Sequence, residues 1–434
     1  MKHNKYALII KRVFLIFLVT FLIIFATLVF SSTNLNELSG SSLLYLFGRL
    51  VGLIGFLFLS ILIIFGDTAR FFDRFFGMDT IIKFQRKFAL ITSLFVLSHP
   101  ILFILSDSFY LKYLTPNFAS VSMALGTLGL YIFILTGISS ILYKRISYTV
   151  WQYIHIGTYL LFFFGIYHAF KIGSDTDNLF VKSSLYALSL GIIIGIIYRT
   201  NYKLKQRKNK FTVKGVKWET KDTFTLALNS NNKFVFEAGQ FCFLRLNKDK
   251  LYARHPFTIS SSPNEKNITF TIKLQGRFTK TASKLREGEK VILEGPFGTF
   301  TIEDKSKPLV FIAGGVGITP FMSIIRDQLI KKNHQQITLI YCSKSKNHKI
   351  FKQEIDCINE SWFKKIYILS KDEKYLDTDE RGYVSKEIIE KYVKNISNSL
   401  FYICGPKGLK QTAINALKKL GVNKQKIIIE DFFW

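Results

Sequence analysis

Cysteine is scarce: four thiols in 434 residues, at 242, 342, 357 and 404, all in the second half and none in a CxxC pair. That excludes a zinc ribbon and a disulfide framework, and it suits reduced, cytosolic thiols. Acidic side chains are few as well, 30 against 59 lysines and arginines, which leaves a formal net charge of +29. There is no internal repeat and no low-complexity segment. What is abundant is apolar surface: 49% of the residues are hydrophobic, and the mean hydropathy is +0.22 despite the charge. Apolar and basic residues are therefore segregated along the chain, which rules out a uniformly mixed globule. The length exceeds a single ordinary core and implies two or three domains. A basic excess would suit nucleic acid or an anionic membrane face. Here Phe, Ile, Asn and Lys are enriched together, as AT-rich coding alone produces, and no motif asks for nucleic acid.

Six apolar runs of membrane-spanning length fill the first 200 residues: Val13 to Phe30, Leu43 to Gly66, Phe88 to Leu105, Ala119 to Leu142, Val150 to Phe170 and Lys182 to Tyr198. Each crosses about 30 Å of hydrocarbon as a helix. Basic clusters fall in alternate connections: Lys2, Lys5, Lys11 and Arg12, then Arg70 to Lys87, then Lys144 and Arg145, then Arg199 to Lys210. The positive-inside rule puts these, and both termini, in the cytoplasm. The first run lacks a small-residue cleavage site and is not a removable signal peptide.

Three histidines, His99, His155 and His168, lie inside the spans. Intramembrane imidazoles need partners and are functional candidates by default; neutral imidazole is also an axial ligand of haem iron. His99 and His168 fall at similar depth toward the outer face, His155 about 20 Å deeper at 1.5 Å per residue. Arg49, early in the second span, is placed to neutralise a haem propionate. Interhelical hydrogen bonding is the alternative for any one of them. Thirteen residues at 100° each leave His155 and His168 off a common face of an ideal helix, so both serve one bundle axis only if the fifth span is tightened or bent.

Beyond Lys210 the texture changes. Short alternating stretches, Phe211 to Trp218, Thr223 to Leu228, Phe241 to Leu246 and Ile268 to Leu274, predict a small antiparallel barrel. From about Pro308 apolar strands alternate with glycine turns and helices, the pattern of an α/β nucleotide domain with a parallel sheet. Gly314 to Pro320, GGVGITP, follows a strand and opens a helix as a phosphate turn does, although it departs from GxGxxG.

With six spans, histidines on spans three and five, and these motifs in order, nearly the whole chain resembles the NADPH oxidase and ferric reductase superfamily. The resemblance implies an all-α six-helix haem-binding membrane domain (residues 1–204), an antiparallel β-barrel for FAD (205–304) and an α/β parallel-sheet NAD(P) domain (305–434). It implies haem b, one or two, with His99 and His168 as the outer pair and His155 as the inner span-five ligand. The inner span-three position is Gln85, where the family has histidine. We keep an altered inner site; the alternative, an outer haem alone, resembles the haem-binding component of bacterial methionine sulfoxide reductase systems.

Arg254 to Thr258, RHPFT, matches the family's flavin seat. Phe257 would pack on the isoalloxazine, Thr258 would reach its polar edge, and Arg254, His255 and Pro256 would stand near ribitol and phosphate. Lys273 to Thr279, KLQGRFT, matches its pyrophosphate segment, with Lys273, Gly276 and Thr279 as binding residues. In the nucleotide domain Gly314, Gly315, Gly317, Thr319 and Pro320 would hold phosphate, and GPFG at Gly295 to Gly298 accompanies them. Cys404, Gly405 and Pro406 would lie by the nicotinamide. Ser343, Lys344 and Lys346, with no acidic residue from Tyr341 to Phe351, lean toward NADPH over NADH. Phe432 or Trp434 would cover the flavin.

The expected activity is electron transfer from cytoplasmic NAD(P)H through FAD and haem to oxygen or a ferric chelate outside, in what is expected to be a bacterial cell membrane. No obligate protein partner and no nucleic acid are expected. Two competitors stay open: a flavin reductase whose helices are only an anchor, and a six-helix transporter or proton pathway with a regulatory nucleotide tail.

Overall fold

The computed structural model describes residues 2–31, 39–107, 111–143, 145–207, 210–229, 234–246, 254–331, 335–371 and 379–431. Two compact units emerge, His3–Leu204 and Lys205–Trp434.

The first unit is helical: α1 (Lys2–Ser31), α2 (Gly40–Phe76), α3 (Met78–Ser106), a single turn α4 (Leu111–Leu114), α5 (Val121–Ile141), α6 (Tyr148–Ile172) and α7 (Leu179–Arg207). Six of these are long and apolar enough to cross a membrane, as the apolar runs predict. Serine hydroxyls set two of the starts, Ser39 accepting from the Ser42 N–H and Ser147 from the Val150 N–H. The second span is longer than its apolar run. At 37 residues α2 is about 55 Å long, and it carries Asp67 past the run's end at Gly66 into a buried position.

Within this unit α2 pairs with α3 and α5 with α6. Phe25, Leu57, Phe58, Ile61 and Phe88 form one packed cluster, and Leu59, Ile63, Leu161, Phe162 and Ile192 another. In lipid such contacts gain from close packing more than from leaving water, so small residues at the crossings matter most. Gly165 receives the Phe56 ring, which stacks on Phe162 at 5.2 Å between centroids.

The second unit opens with an antiparallel sheet of β1 (Lys210–Thr220), β2 (Thr223–Asn229), β3 (Phe241–Leu246), β4 (His255–Thr258), β5 (Ile268–Lys273) and β6 (Lys290–Phe297), in the order β4-β3-β6-β1-β2-β5. A bridge between Ile259 and Phe270 joins the two ends and closes the barrel. Phe211, Val213, Phe224, Leu226, Phe270 and Ile272 fill it, and the helix α8 (Gly276–Ala282) adds Phe278 and Ala282.

The remainder is a wholly parallel sheet of β7 (Leu309–Gly314), β8 (Ile337–Ser343), β9 (Phe363–Leu369), β10 (Asp379–Arg381), β11 (Leu400–Cys404) and β12 (Ile427–Glu430), ordered β10-β9-β8-β7-β11-β12. Its helices are α9 (Thr319–Lys331), α10 (Lys352–Asp356), α11 (Lys386–Tyr392) and α12 (Lys407–Lys419). Leu309, Phe311 and Ala313 of β7 face one core and Val310 and Ile312 the other, so the strand is buried on both sides. The chain moves from β7 to β8 on one side and returns to β11 on the other. That reversal opens a crevice at the strands' C-terminal ends, where ligands of open α/β sheets bind.

Candidate functional site

His99 on α3 and His168 on α6 face each other, ring centres 6.4 Å apart and planes at 89°. His99 Nδ1 lies 2.8 Å from the Gly48 carbonyl oxygen and His168 Nδ1 lies 2.9 Å from that of Ser122. A carbonyl only accepts, so each Nδ1 carries the proton and each Nε2 presents a lone pair. One turn beyond each carbonyl stands a glycine. A Cβ on Gly52 would clash with His99 Nδ1, and a Cβ on Gly126 would clash with His168 Nδ1. The two hairpins, α2–α3 and α5–α6, thus repeat one device: a small residue, three intervening residues, a glycine, and an imidazole laid over that glycine with Nδ1 tied to the carbonyl.

A separation of 6.4 Å between the ring centres leaves room for one metal ion between the two imidazoles. Among the described residues no cluster of three or more His, Cys, Asp or Glu side chains gathers. A pair of imidazoles without further protein ligands suits a metal whose remaining ligands come from a porphyrin. The carbonyl-bound Nδ1 atoms and the glycine cradles fit haem here.

Arg49 is paired within the protein. Its Nε donates to Asp175 Oδ2 at 3.0 Å and its Nη2 to Asp175 Oδ1, both side chains being largely buried. The connection between α6 and α7 thus supplies a carboxylate to the guanidinium.

Deeper in the bundle, His155 Nε2 lies 3.4 Å from Ser140 Oγ, and Trp151 packs on the ring at 4.0 Å between centroids. Gln85 reaches Gly66, 3.8 Å from where a Cβ would stand. One turn after His155, Tyr159 donates to Asp67 Oδ1 at 2.6 Å, and Arg199 donates to the same oxygen at 3.0 Å. This cluster escapes a sequence reading because Asp67 lies 92 and 132 residues from its partners.

In the second unit β4 is the HPFT segment itself. The Thr258 hydroxyl is buried without a partner, a group placed to meet a ligand edge. Phe257 stacks near Phe278 at 5.9 Å, and His255 lies 4.1 Å from the same ring; burial lowers the His255 pKa. Arg254 is turned to Glu294 at 3.0 Å and over Phe243, and Lys273 pairs with Asp222 at 3.1 Å on the surface. Thr279 accepts the Gln275 N–H at 2.6 Å and so caps α8 from within its first turn, while Gly276 sits at φ +81° before it.

At the sheet's crevice the turn after β7 meets the turn after β11. A Cβ on Gly317 would strike the Cys404 carbonyl oxygen, and one on Gly405 would meet the Gly314 N at 3.0 Å. Gly314, Gly315, Gly317, Gly405 and Pro406 therefore form one surface of bare backbone, with Thr319 and Pro320 opening α9 beside it. Cys404 is fully buried, and burial holds its thiol well above the ordinary range; it presents a neutral S–H, not a nucleophile. Ser343 ends β8, with Lys344 exposed and Lys346 half-buried after it. Phe432 and Trp434 lie outside the described residues.

Three family descriptions match in chain order: a ferric reductase like transmembrane component at 51–166, an FAD-binding domain at 207–314 and an oxidoreductase NAD-binding domain at 311–414. A component of the Na(+)-translocating NADH-quinone reductase of Methylococcus capsulatus is 31% identical over 34% of this chain and 38% of its own. Flavohemoprotein A of Dictyostelium discoideum is 26% identical over 43% of this chain and 48% of its own. The matches take in less than half the length of these curated relatives. The FAD/NAD-binding domain of nitric oxide dioxygenase from Vibrio cholerae aligns over 52% of this chain and 98% of that one, with 23% identity and a TM-score of 0.47. By the three family matches, the chain joins a ferric reductase like transmembrane component to an FAD-binding and an oxidoreductase NAD-binding domain, the NADPH oxidase and ferric reductase type of architecture.

Proposed function

We propose that this oxidoreductase carries electrons across the membrane, from NAD(P)H through FAD and a haem held by His99 and His168, to oxygen or a ferric chelate on the far side. The single observation that carries the haem is the facing imidazole pair, each ring fixed by a carbonyl and a glycine. Those second partners fix the tautomer and orientation that a metal ligand needs. When bound, the cofactors supply the chemistry: the flavin takes a hydride and gives up single electrons, and the haem relays them.

The chain's own residues position and exclude. Bare backbone at Gly314–Gly317 and Gly405 admits the dinucleotide phosphates, and the α9 N-terminus favours their charge. Cys404 and Pro406 bound the nicotinamide as neutral, apolar walls. Phe257 and the unpartnered Thr258 hydroxyl support a flavin ring against the barrel, and Gly276 with Thr279 opens α8 toward its pyrophosphate. Ser343, Lys344 and Lys346 favour a 2′-phosphate, hence NADPH. Phe432 or Trp434 shields the flavin. The basic connections place both termini in the cytoplasm, with functional boundaries near residues 204 and 304.

The test is a reduced-minus-oxidised spectrum of the purified full chain, with NADPH as reductant. A b-type band that develops with NADPH and is lost in His168→Ala is expected; a flavin signal with no haem band would reject the proposal in favour of an anchored flavin reductase.

A further inference from the structure

Beyond Thr258 the chain that seats the flavin runs on into three serines, Ser260, Ser261 and Ser262, all buried. Their partners lie in the nucleotide domain. On α9, Ser323, Arg326 and Asp327 are spaced by three and four residues and so share one face. Ser323 Oγ donates to the Ser261 carbonyl at 2.7 Å and accepts the Gly239 N–H at 3.3 Å. Arg326 Nη1 donates to the Ser260 carbonyl at 2.6 Å. Asp327 Oδ1 accepts from Ser262 Oγ and from Asn264 Nδ2, each at 2.9 Å. One face of one helix thus holds the barrel segment that follows β4.

Both ends of this latch lead to the chemistry. Helix α9 opens at Thr319, directly after the glycine turn, so Ser323 and Arg326 stand about 6 and 10 Å along the helix from it. Ser260 comes two residues after Thr258, whose hydroxyl is buried and unpartnered. Arg326 is also fixed from its own side. Its Nε and Nη2 donate to the two carboxylate oxygens of Glu354, each at 2.6 Å, and its guanidinium lies 4.8 Å from the Phe351 ring centre. Phe351 is buried, and among the described residues it is the one non-glycine at positive φ, +57°. Such a backbone costs about 1–3 kcal/mol and persists only where its surroundings over-determine it. Tyr341 ties the same loop to the glycine turn, its hydroxyl donating to the Gly315 carbonyl at 3.2 Å and accepting the Ile350 N–H at 3.0 Å. The nucleotide domain therefore holds one edge of a rigid planar fork and leaves Nη1 to reach the barrel.

We infer that Ser323 and Arg326 are positioning residues for the hydride step: they set how far a nicotinamide bound at the α9 turn stands from a flavin seated by β4. Both donate across the boundary to backbone carbonyls, so what they fix is the path of the chain at the flavin seat. Domains that meet across an ordinary interface move relative to one another by default; buried, directional hydrogen bonds fix the register. Transfer demands reacting atoms about 3–3.5 Å apart, and a misplacement of about 1 Å costs on the order of 10²-fold in rate. The inference rests on the proposed transfer from NAD(P)H to FAD and names the groups that hold its two sites in register.

The experiment follows anaerobic single-turnover reduction of the flavin by NADPH in the purified full chain, Ser323→Ala and Arg326→Lys. Lysine keeps the charge and loses the fork. Both variants are expected to keep their flavin, and by calorimetry to keep their affinity for ADP-ribose, which carries no nicotinamide. The limiting rate of flavin reduction is expected to fall about tenfold, the cost of a displacement below 1 Å, and the nicotinamide–flavin charge-transfer absorbance to weaken with it. A limiting rate per flavin that is unchanged in both variants overturns the inference. So does a loss that lies wholly in the half-saturating NADPH concentration, and so does loss of flavin from both, which would make the contacts merely structural. Ser323→Ala removes a single hydroxyl and decides the matter if Arg326→Lys fails to fold. Flavin that neither NADPH nor NADH reduces in the unaltered chain rejects the hydride step itself.

Discussion

At the scale of single residues, glycine does as much as histidine. The histidines are legible in the sequence because a titratable side chain inside an apolar run is conspicuous. Gly52 and Gly126 are not, because glycine is common in membrane helices and only the fold brings each under an imidazole. Gly52→Ala or Gly126→Ala drives a methyl well inside the normal contact distance of the ring, so either variant is expected to lose outer haem or shift its low-spin electron paramagnetic resonance signal, read alongside flavin content. An unchanged signal in both would mean the cradles are incidental. The His255 imidazole makes a second prediction. Burial lowers its pKa in the fold from the ordinary 6.5, so below pH 6.5 the unfolded chain binds more protons and stability falls as pH drops toward the folded value. His255→Asn is expected to flatten that part of the pH–stability profile, followed through release of flavin fluorescence.

At the scale of elements, α2 marks where sequence reading succeeds and where it stops. Its apolar run to Gly66 is plain, yet the helix continues to Phe76, and there Tyr159 and Arg199 from other helices both donate to one oxygen of Asp67. Asp67 is buried while Arg199 is partly exposed, so Asp67→Ala, which takes one acceptor from Tyr159 and Arg199, is expected to cost about 1–3 kcal/mol. Thermal unfolding in detergent measures it, and a loss no larger than that of an exposed acid such as Asp177→Ala would contradict the role. In the second unit the alternating stretches give most of the barrel strands directly. β4 is found through its HPFT motif rather than its periodicity, since four residues are too few to show a period. The GGVG and CGP turns are each visible as glycine signals, but their backbone-to-backbone contact is a product of the strand order β7-β11.

At the scale of the whole molecule, the opening contrast between oil and positive charge resolves into division of labour. The apolar residues build six spans around three imidazoles, and basic residues outnumber acidic ones 21 to 7 up to Lys210 and 38 to 23 beyond it. On the proposed function, that division lets one chain hold a hydride donor on one side of a membrane and an electron acceptor on the other. Of the four thiols, Cys242 and Cys404 are buried, Cys342 is half-buried and Cys357 is exposed, so alkylating Cys357 in the native protein is expected to leave electron transfer unchanged. The most direct measurement uses sealed proteoliposomes that contain a ferric chelate, with NADPH supplied only outside. The account predicts that the trapped chelate is reduced by the unaltered protein and not by His99→Ala, while both still oxidise NADPH with a soluble flavin acceptor outside. Trapped chelate that stays oxidised with the unaltered protein, or that is reduced equally well by His99→Ala, would contradict it.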